Sequence, residues 1–381
     1  MTSLSYLSRF DGLRAVAVFG VLIEHFCPLR VLTRLSPGGA GVTLFFVLSG
    51  FLITRILVNY RSQTIGSAAA QFYWRRFLRL SPPLFLAITI AALLNLSTMR
   101  SDWWVHALYL TNFQIGLNGS WVGSADHFWS LCTEEQFYLL WFLVVILLPR
   151  SSLFYAIIVA FAVTLTFRAF VYFSQLPALT TVLLPGNLAS LAAGALLLEA
   201  QTSDRFSRLN GVLTDRKWLI VTAILFGALS ISMRFVDLPR AIFYPFVASA
   251  FFACLLAAAA NERPDPYLDW LHWRPLRYLG KISYGIFVYH MFLPSIIGPI
   301  PGLHWIASGS WLAFVALVVI SITLAHFSWV FIEAPILQYK DRVPVRPRSA
   351  ARAGITSAVA RPRTARGMLC DDGSGCRDQS S

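Results

Sequence analysis

Residues 40–59 read AGVTLFFVLSGFLITRILVN, twenty consecutive positions with one charged side chain, Arg55, near the end. Twenty residues of α-helix rise about 30 Å, the thickness of a bilayer's hydrocarbon core. The run does not alternate apolar with polar, so it is no strand of a membrane barrel. Comparable stretches recur on either side, near 12–28, 79–98, 128–148, 153–173, 179–198, 217–234, 239–260, 279–299 and 309–336. They predict an all-α polytopic membrane protein, with about ten transmembrane helices forming one bundle. Composition agrees. Of 381 residues, 57% are hydrophobic and 13% charged, against about 25% charged in soluble domains. So few charges cannot cover a water-soluble globule of this size, which excludes a soluble enzyme, a coiled coil, collagen and a disordered chain. The first stretch is not expected to be a cleaved signal peptide: Asp11, Arg14, Glu24 and His25 interrupt it, and another span follows closely.

Charge then orients the bundle. The net +13, from 31 Lys and Arg against 18 Asp and Glu, would mark a nucleic-acid binder in a soluble protein. Here its placement argues otherwise. With the N-terminus inside, 24 of the basic residues fall on inner segments or the C-terminal tail. Five fall on outer loops: Arg30, Arg34, Arg100, Arg234 and Arg240. Arg14 and Arg168 lie within spans. Both termini are therefore expected in the cytoplasm, with no nucleic-acid partner. Residues 341–381 are rich in Arg, Ser, Gly and Pro and are expected to be a disordered basic tail able to contact anionic lipid of the inner leaflet. Cys27, Cys132 and Cys254 read as small hydrophobes, and Cys370 and Cys376 lack neighbours that would make a metal site.

Polar residues inside spans are costly and mark candidate sites. Arg14 and His25 are eleven residues apart, three helical turns, so they share one face of the first span about 16 Å apart along its axis. Asp11, one turn before Arg14, can pair with it. Such a stripe suits anion binding at one end and proton transfer at the other. Glu24 lies off this face, with a pairing role as open as a chemical one. Gly38, Gly39, Gly41 and Gly50 allow close approach of another helix, the favoured reading, or of a ligand. Arg76 and Arg79, one turn apart, either grip phosphates or anchor the inner face. Glu134 and Glu135 must face the bundle interior, toward a cavity, a cation or a partner arginine, for which Arg168 is the natural candidate. His290 is either a site residue or a satisfied core histidine, and His326 looks more ordinary.

Six motifs in order carry a family resemblance. They are Arg14 with His25, Phe-Phe-Val-Leu-Ser-Gly-Phe at 45–51, Arg-Phe-Leu-Arg at 76–79, His-Phe-Trp-Ser-Leu-Cys-Thr-Glu-Glu-Gln-Phe-Tyr at 127–138, Gly-Lys-Ile-Ser-Tyr at 280–284 and Phe-Ile-Glu-Ala-Pro at 331–335. Over residues 6–338 the chain resembles the membrane-bound acyltransferase-3 family, whose bacterial members O-acetylate cell-surface carbohydrates. The resemblance implies a transmembrane acyltransferase domain over 1–340 in a bacterial cytoplasmic membrane. It implies an acyl-coenzyme A donor, with acetyl the expected acyl group, held by Arg76 and Arg79 with Arg14 beside them, and a carbohydrate or glycolipid acceptor. His25 is implied as the base that activates the acceptor hydroxyl, or as a transient acyl carrier, with Glu134 and Glu135 orienting it or the acceptor. His127, Trp129, Ser130, Ser283 and Tyr284 are implied as secondary acceptor contacts, and no metal is required. Some relatives carry an added extracytoplasmic hydrolase-like domain, and this sequence is expected to work without one of its own or with a partner. The motif departs mildly at Cys132-Thr133, where small apolar residues are common.

A transporter or flippase of a sugar- or lipid-linked substrate is the rival reading. Such folds usually show repeated halves or matching broken helices, and neither is visible. A scaffold or receptor would need no buried Arg, Glu and His.

Overall fold

The computed structural model describes residues 6–33, 35–232, 237–261 and 263–343, and among them every regular element is helical. Helices of seven residues or more are α1 Ser8–Phe26, α2 Pro37–Tyr60, α3 Ile65–Leu93, α4 Met99–Ala107, α5 Thr111–Asn118, α6 Phe128–Leu147 and α7 Leu153–Phe173. They continue with α8 Leu188–Thr202, α9 Ser207–Thr214, α10 Arg216–Ser232, α11 Asp237–Ala260, α12 Arg274–Lys281, α13 Ser283–Tyr289 and α14 Trp311–Ser328. The expected tail from 344 onward lies outside the described residues, as do Arg34 and Arg234, and nothing is placed for the Arg240 side chain.

Each expected apolar stretch coincides with helix, but among the described residues six helices are long and apolar enough to cross a membrane: α2, α3, α6, α7, the 241–260 part of α11, and the last, running from Trp311 to Asp341. The others fall short for separate reasons. α1 carries Arg9, Asp11, Arg14 and Glu24, and α10 has 17 residues. α8 has 15 and rises only about 22 Å. Its expected start at 179 is displaced to Leu188 because 3₁₀ turns over Ala178–Val182 and Leu184–Gly186 precede it. The Asn187 side chain donates to the carbonyls of Thr181 (2.8 Å) and Leu183 (3.1 Å) there, holding those turns. The stretch at 279–299 is not one helix either. α12 stops at Lys281, and after α13 a 3₁₀ turn over His290–Phe292 intervenes, where His290 Nδ1 takes the Phe287 carbonyl at 2.7 Å. α3 begins at Ile65 rather than 79 and runs through Pro82 and Pro83, so Arg76 and Arg79 both stand well inside a helix.

α2 is the central element. It packs on α1, α3, α6, α8 and α11, while α12 lies along α1 and α10 pairs with α11. α6 exposes Leu139, Leu143 and Leu147, and α14 exposes Leu312, Val315 and Val319. Each set recurs every three or four residues, an outward apolar stripe that suits lipid and not water.

Two charges at the ends of α1 serve this packing. Glu24 accepts from the backbone amides of Gly38 (2.5 Å) and Gly39 (3.3 Å) and from Ser36 Oγ (3.2 Å), so it caps the N-terminus of α2. Arg9, expected as inner-face surface charge, is instead fully buried. It donates to the carbonyls of Asn261 (2.6 Å) and Arg263 (2.7 Å) and to Asp269 Oδ1 (2.6 Å), tying the segment before α12 to α1. The hydrogen bond from Arg9, with that from the Asp265 amide, holds the exposed Asp269 carboxyl below the usual carboxylate range. Arg9→Leu would remove three hydrogen bonds made by a buried cation, each worth about 1.5–3 kcal/mol at most. The expected destabilisation is about 2 kcal/mol or more, read as a lowered unfolding midpoint of the purified chain.

Candidate active site

α1, α2, α3, α6 and α13 enclose a cavity of about 290 Å³. Its polar wall is made of Arg14, Arg76, Arg79, Glu134, Ser130 and Ser283, with Ser49, Tyr138 and Tyr284. Arg76 and Arg79 reach it together because they stand one turn apart on α3. Arg14 comes from α1 and is paired with Asp11 at 2.7 Å, as its spacing predicts. Arg76 lies over the Tyr138 ring, 4.8 Å from its centroid. Arg79 donates to the Lys281 carbonyl at 2.9 Å, lies 5.0 Å from the Trp329 centroid and faces the buried Glu333 carboxylate at 4.0 Å. Three guanidiniums thus surround a space whose described lining includes one carboxylate, Glu134. Glu134 is itself engaged, accepting from Ser49 Oγ and Tyr138 Oη. Anion binding is what this wall can do.

The apolar wall is formed by Phe45, Phe46, Leu80, Leu131 and Phe287. Phe287 has a second side. Its ring centroid lies 5.5 Å from that of His127 and 5.7 Å from that of His290. His290 in turn sits 4.9 Å from His127 and 5.1 Å from His25. So three imidazoles cluster behind the cavity, at the end of α1 remote from Arg14, with the Phe287 ring between the cavity and two of them. His25 is exposed there, and His127 and His290 are buried. His127 Nε2 meets the Val288 carbonyl at 3.0 Å and His290 Nδ1 the Phe287 carbonyl at 2.7 Å. A carbonyl only accepts, so those nitrogens carry the hydrogens, which leaves His127 Nδ1 and His290 Nε2 as lone-pair acceptors without partners.

The expected residues therefore divide. Arg14, Arg76, Arg79, Glu134, Ser130, Ser283 and Tyr284 share the cavity; His25 and His127 join His290 in the imidazole cluster. Glu135 lines neither, and its Oε1 is buried without a partner. Trp129 packs edge-on against Phe46. Glu134 is held by Ser49 and Tyr138. One expectation is corrected. Arg168 is no counter-charge to the acidic pair: its Nε donates to the Gly186 carbonyl (2.8 Å) and its Nη1 to the Ala241 carbonyl (2.6 Å), stapling α7 to two neighbouring segments. Sequence reasoning gave no role to Tyr138, Phe287 or Glu333. The spacing of Tyr138 four residues after Glu134 was a usable signal, whereas Glu333 meets Arg79 only through the fold.

A larger cavity of about 700 Å³ opens between α1, α2, α10 and α11 and carries no ionisable side chain.

The profile of the acyltransferase-3 family, described as an acyltransferase domain, matches residues 7–330. The chain belongs to the acyltransferase-3 family. Its class as an acyltransferase follows from that membership. Among curated relatives, the peptidoglycan O-acetyltransferase OatA of Listeria monocytogenes is 29% identical over 372 residues, covering 88% of this chain and 56% of the relative. The O-acetyltransferase OatA of Staphylococcus aureus is 28% identical over 378 residues, covering 88% and 58%. The chain spans a little over half the length of these relatives. No solved structure matches it. Within the family frame, the arginine cavity and the imidazole cluster are the two halves of the candidate site.

Proposed function

We propose that the chain transfers an acetyl-class acyl group from acyl-coenzyme A to a hydroxyl of a cell-envelope carbohydrate, with peptidoglycan, the polymer in the relatives' names, as the first acceptor to test. The observation that carries this reading is the pairing of a three-arginine cavity with an imidazole cluster behind Phe287. In this reading about ten segments cross or enter a bacterial cytoplasmic membrane. The positive-inside bias puts both termini, the basic tail and the arginine cavity on the cytoplasmic side, where coenzyme A is found. Arg76 and Arg79 hold donor phosphate, Arg14 assists, and the acyl thioester reaches past Phe287 toward His25. There His25 takes the proton of the acceptor hydroxyl and the oxygen attacks the thioester carbonyl. The carbon–sulfur bond then breaks, and the coenzyme A thiolate leaves and takes up a proton. An acyl group carried briefly on His25 would divide the same transfer into two steps.

The test is twofold. Acetyl-ester content of the cell wall should rise when the chain is expressed and fall when it is deleted. Arg76→Ala with Arg79→Ala should weaken coenzyme A binding to the purified chain by at least about tenfold, because each charge-assisted hydrogen bond is worth about 1.5–3 kcal/mol. Unchanged affinity would reduce both arginines to topology anchors.

A further inference from the structure

A second cavity, of about 500 Å³, adjoins the first and is lined by Tyr6, Asp11, Arg274, Arg277, Tyr278 and Lys281. The sequence reading treated its three cations only as inner-face charge. On α12 they stand at positions i, i+3 and i+7, hence on one face of the helix. The opposite face is fixed. Leu276 and Gly280 are buried, and a Cβ at Gly280 would collide with the Asp11 carbonyl, so α12 lies backbone to backbone on α1 with its basic face turned out. Asp11 is the only carboxylate among the lining residues, and it is already held by Arg14 and by the Tyr6 hydroxyl. Arg277 lies over the Tyr6 ring, 5.5 Å from its centroid.

The two cavities share their walls. Asp11 lines one and pairs with Arg14 in the other; Lys281 lines one and accepts from Arg79 in the other through its carbonyl. Lys281 and Arg79 both face the Trp329 ring, at 4.6 and 5.0 Å from its centroid. A continuous basic surface therefore leads from α12 into the arginine cavity. At about 290 Å³ that cavity sits at the floor of the range for drug-sized ligands, and coenzyme A is larger than those. Most of the cofactor must lie elsewhere.

We infer that this second cavity holds the 3′-phosphorylated adenosine diphosphate end of the acyl-coenzyme A, Arg274 and Arg277 taking phosphate oxygens and the tyrosines offering flat faces to the base. The assignment rests on the donor reading proposed above. Guanidinium forks suit phosphate bidentately, and aromatic rings stack on bases of any identity. An anionic lipid headgroup presents the same phosphate chemistry, and the experiment separates the two.

The full chain, in lipid nanodiscs with and without anionic lipid, is titrated with coenzyme A and with dephospho-coenzyme A, which lacks the 3′-phosphate. Wild type should prefer coenzyme A by about tenfold or more, the effect of one charge-assisted hydrogen bond. That preference should persist in neutral nanodiscs. Arg274→Gln with Arg277→Gln should erase it, leaving dephospho-coenzyme A binding within about threefold of wild type. Arg274→Gln alone, at an exposed side chain, should lower it partway and guards against misfolding of the double variant. A double variant that keeps the preference, or one whose only loss is retained anionic lipid, overturns the assignment. Wild type binding neither form would instead overturn the donor reading itself.

Discussion

His25→Ala should lower acyl transfer by about 10²–10⁴-fold, the contribution of a positioned general base, while coenzyme A affinity stays at the wild-type value. The separation of the two effects follows from geometry. His25 is at the far end of α1 from Arg14 and does not line the arginine cavity, so its removal leaves the donor wall intact. Two imidazoles lie beside it, His290 centred 5.1 Å away and His127 centred 4.9 Å beyond that. Both of those rings are buried and each is anchored to a carbonyl through one nitrogen. They can therefore hold or pass a proton but cannot move to replace His25 at the exposed position. The measurement is transfer of labelled acetyl from acetyl-coenzyme A to a carbohydrate acceptor, with coenzyme A titration on the same preparation. Transfer near the wild-type rate would remove His25 from the chemistry. A burst of free coenzyme A without acceptor, present in wild type and absent in His25→Ala, would mark the covalent route.

Much of this site was legible in the sequence because helices make spacing into geometry. Arg76 and Arg79 reach one cavity because three residues make nearly one turn. Arg14 and His25 share a stripe because eleven residues make nearly three. The division of that stripe between two environments was not legible. It depends on Phe287, contributed by a helix that begins more than 250 residues later, and on the break at His290 that turns its imidazole toward His25 and His127. The misassigned partner of the acidic pair has the same origin. Arg168 lay in a neighbouring span, but its guanidinium is taken by the Gly186 carbonyl of the 3₁₀ turn before α8 and by the Ala241 carbonyl of α11. Arg9 shows how a count of charges misleads: it raised the inner-face total although it is a buried staple. Among the described residues six helices meet the criterion of length and apolarity, because others are short, as α8 and α10 are, or charged, as α1 is.

Gly50→Ala should destabilise the chain by more than it gains from helix propensity, and Gly50→Val should prevent folding into a bundle that binds coenzyme A. Two readings of the small residues in α2 were open, a ligand approaching the backbone or another helix. The contacts decide for the helix: a Cβ at Gly50 would strike the Leu191 carbonyl, and one at Gly194 would strike the Val47 carbonyl and the Phe51 amide. α2 and α8 thus meet backbone to backbone at two reciprocal glycines, with Val47 and Leu191 fully buried beside them. Alanine is better than glycine inside a helix by about 1 kcal/mol. Forcing extra carbon into a packed interior costs typically 1–3 kcal/mol, and more where the obstacle is backbone that cannot change rotamer. Packing therefore wins, and the net loss for Gly50→Ala is expected at about 1–2 kcal/mol or more. The effect should reach the site, since Phe45, Phe46 and Ser49, in the turns just before Gly50, line the arginine cavity. Thermal unfolding of the purified variants, with coenzyme A titration as the second readout, checks both parts. A Gly50→Ala chain that melts about 1 kcal/mol above wild type would mean that propensity prevails and that the two helices stand further apart than this packing requires.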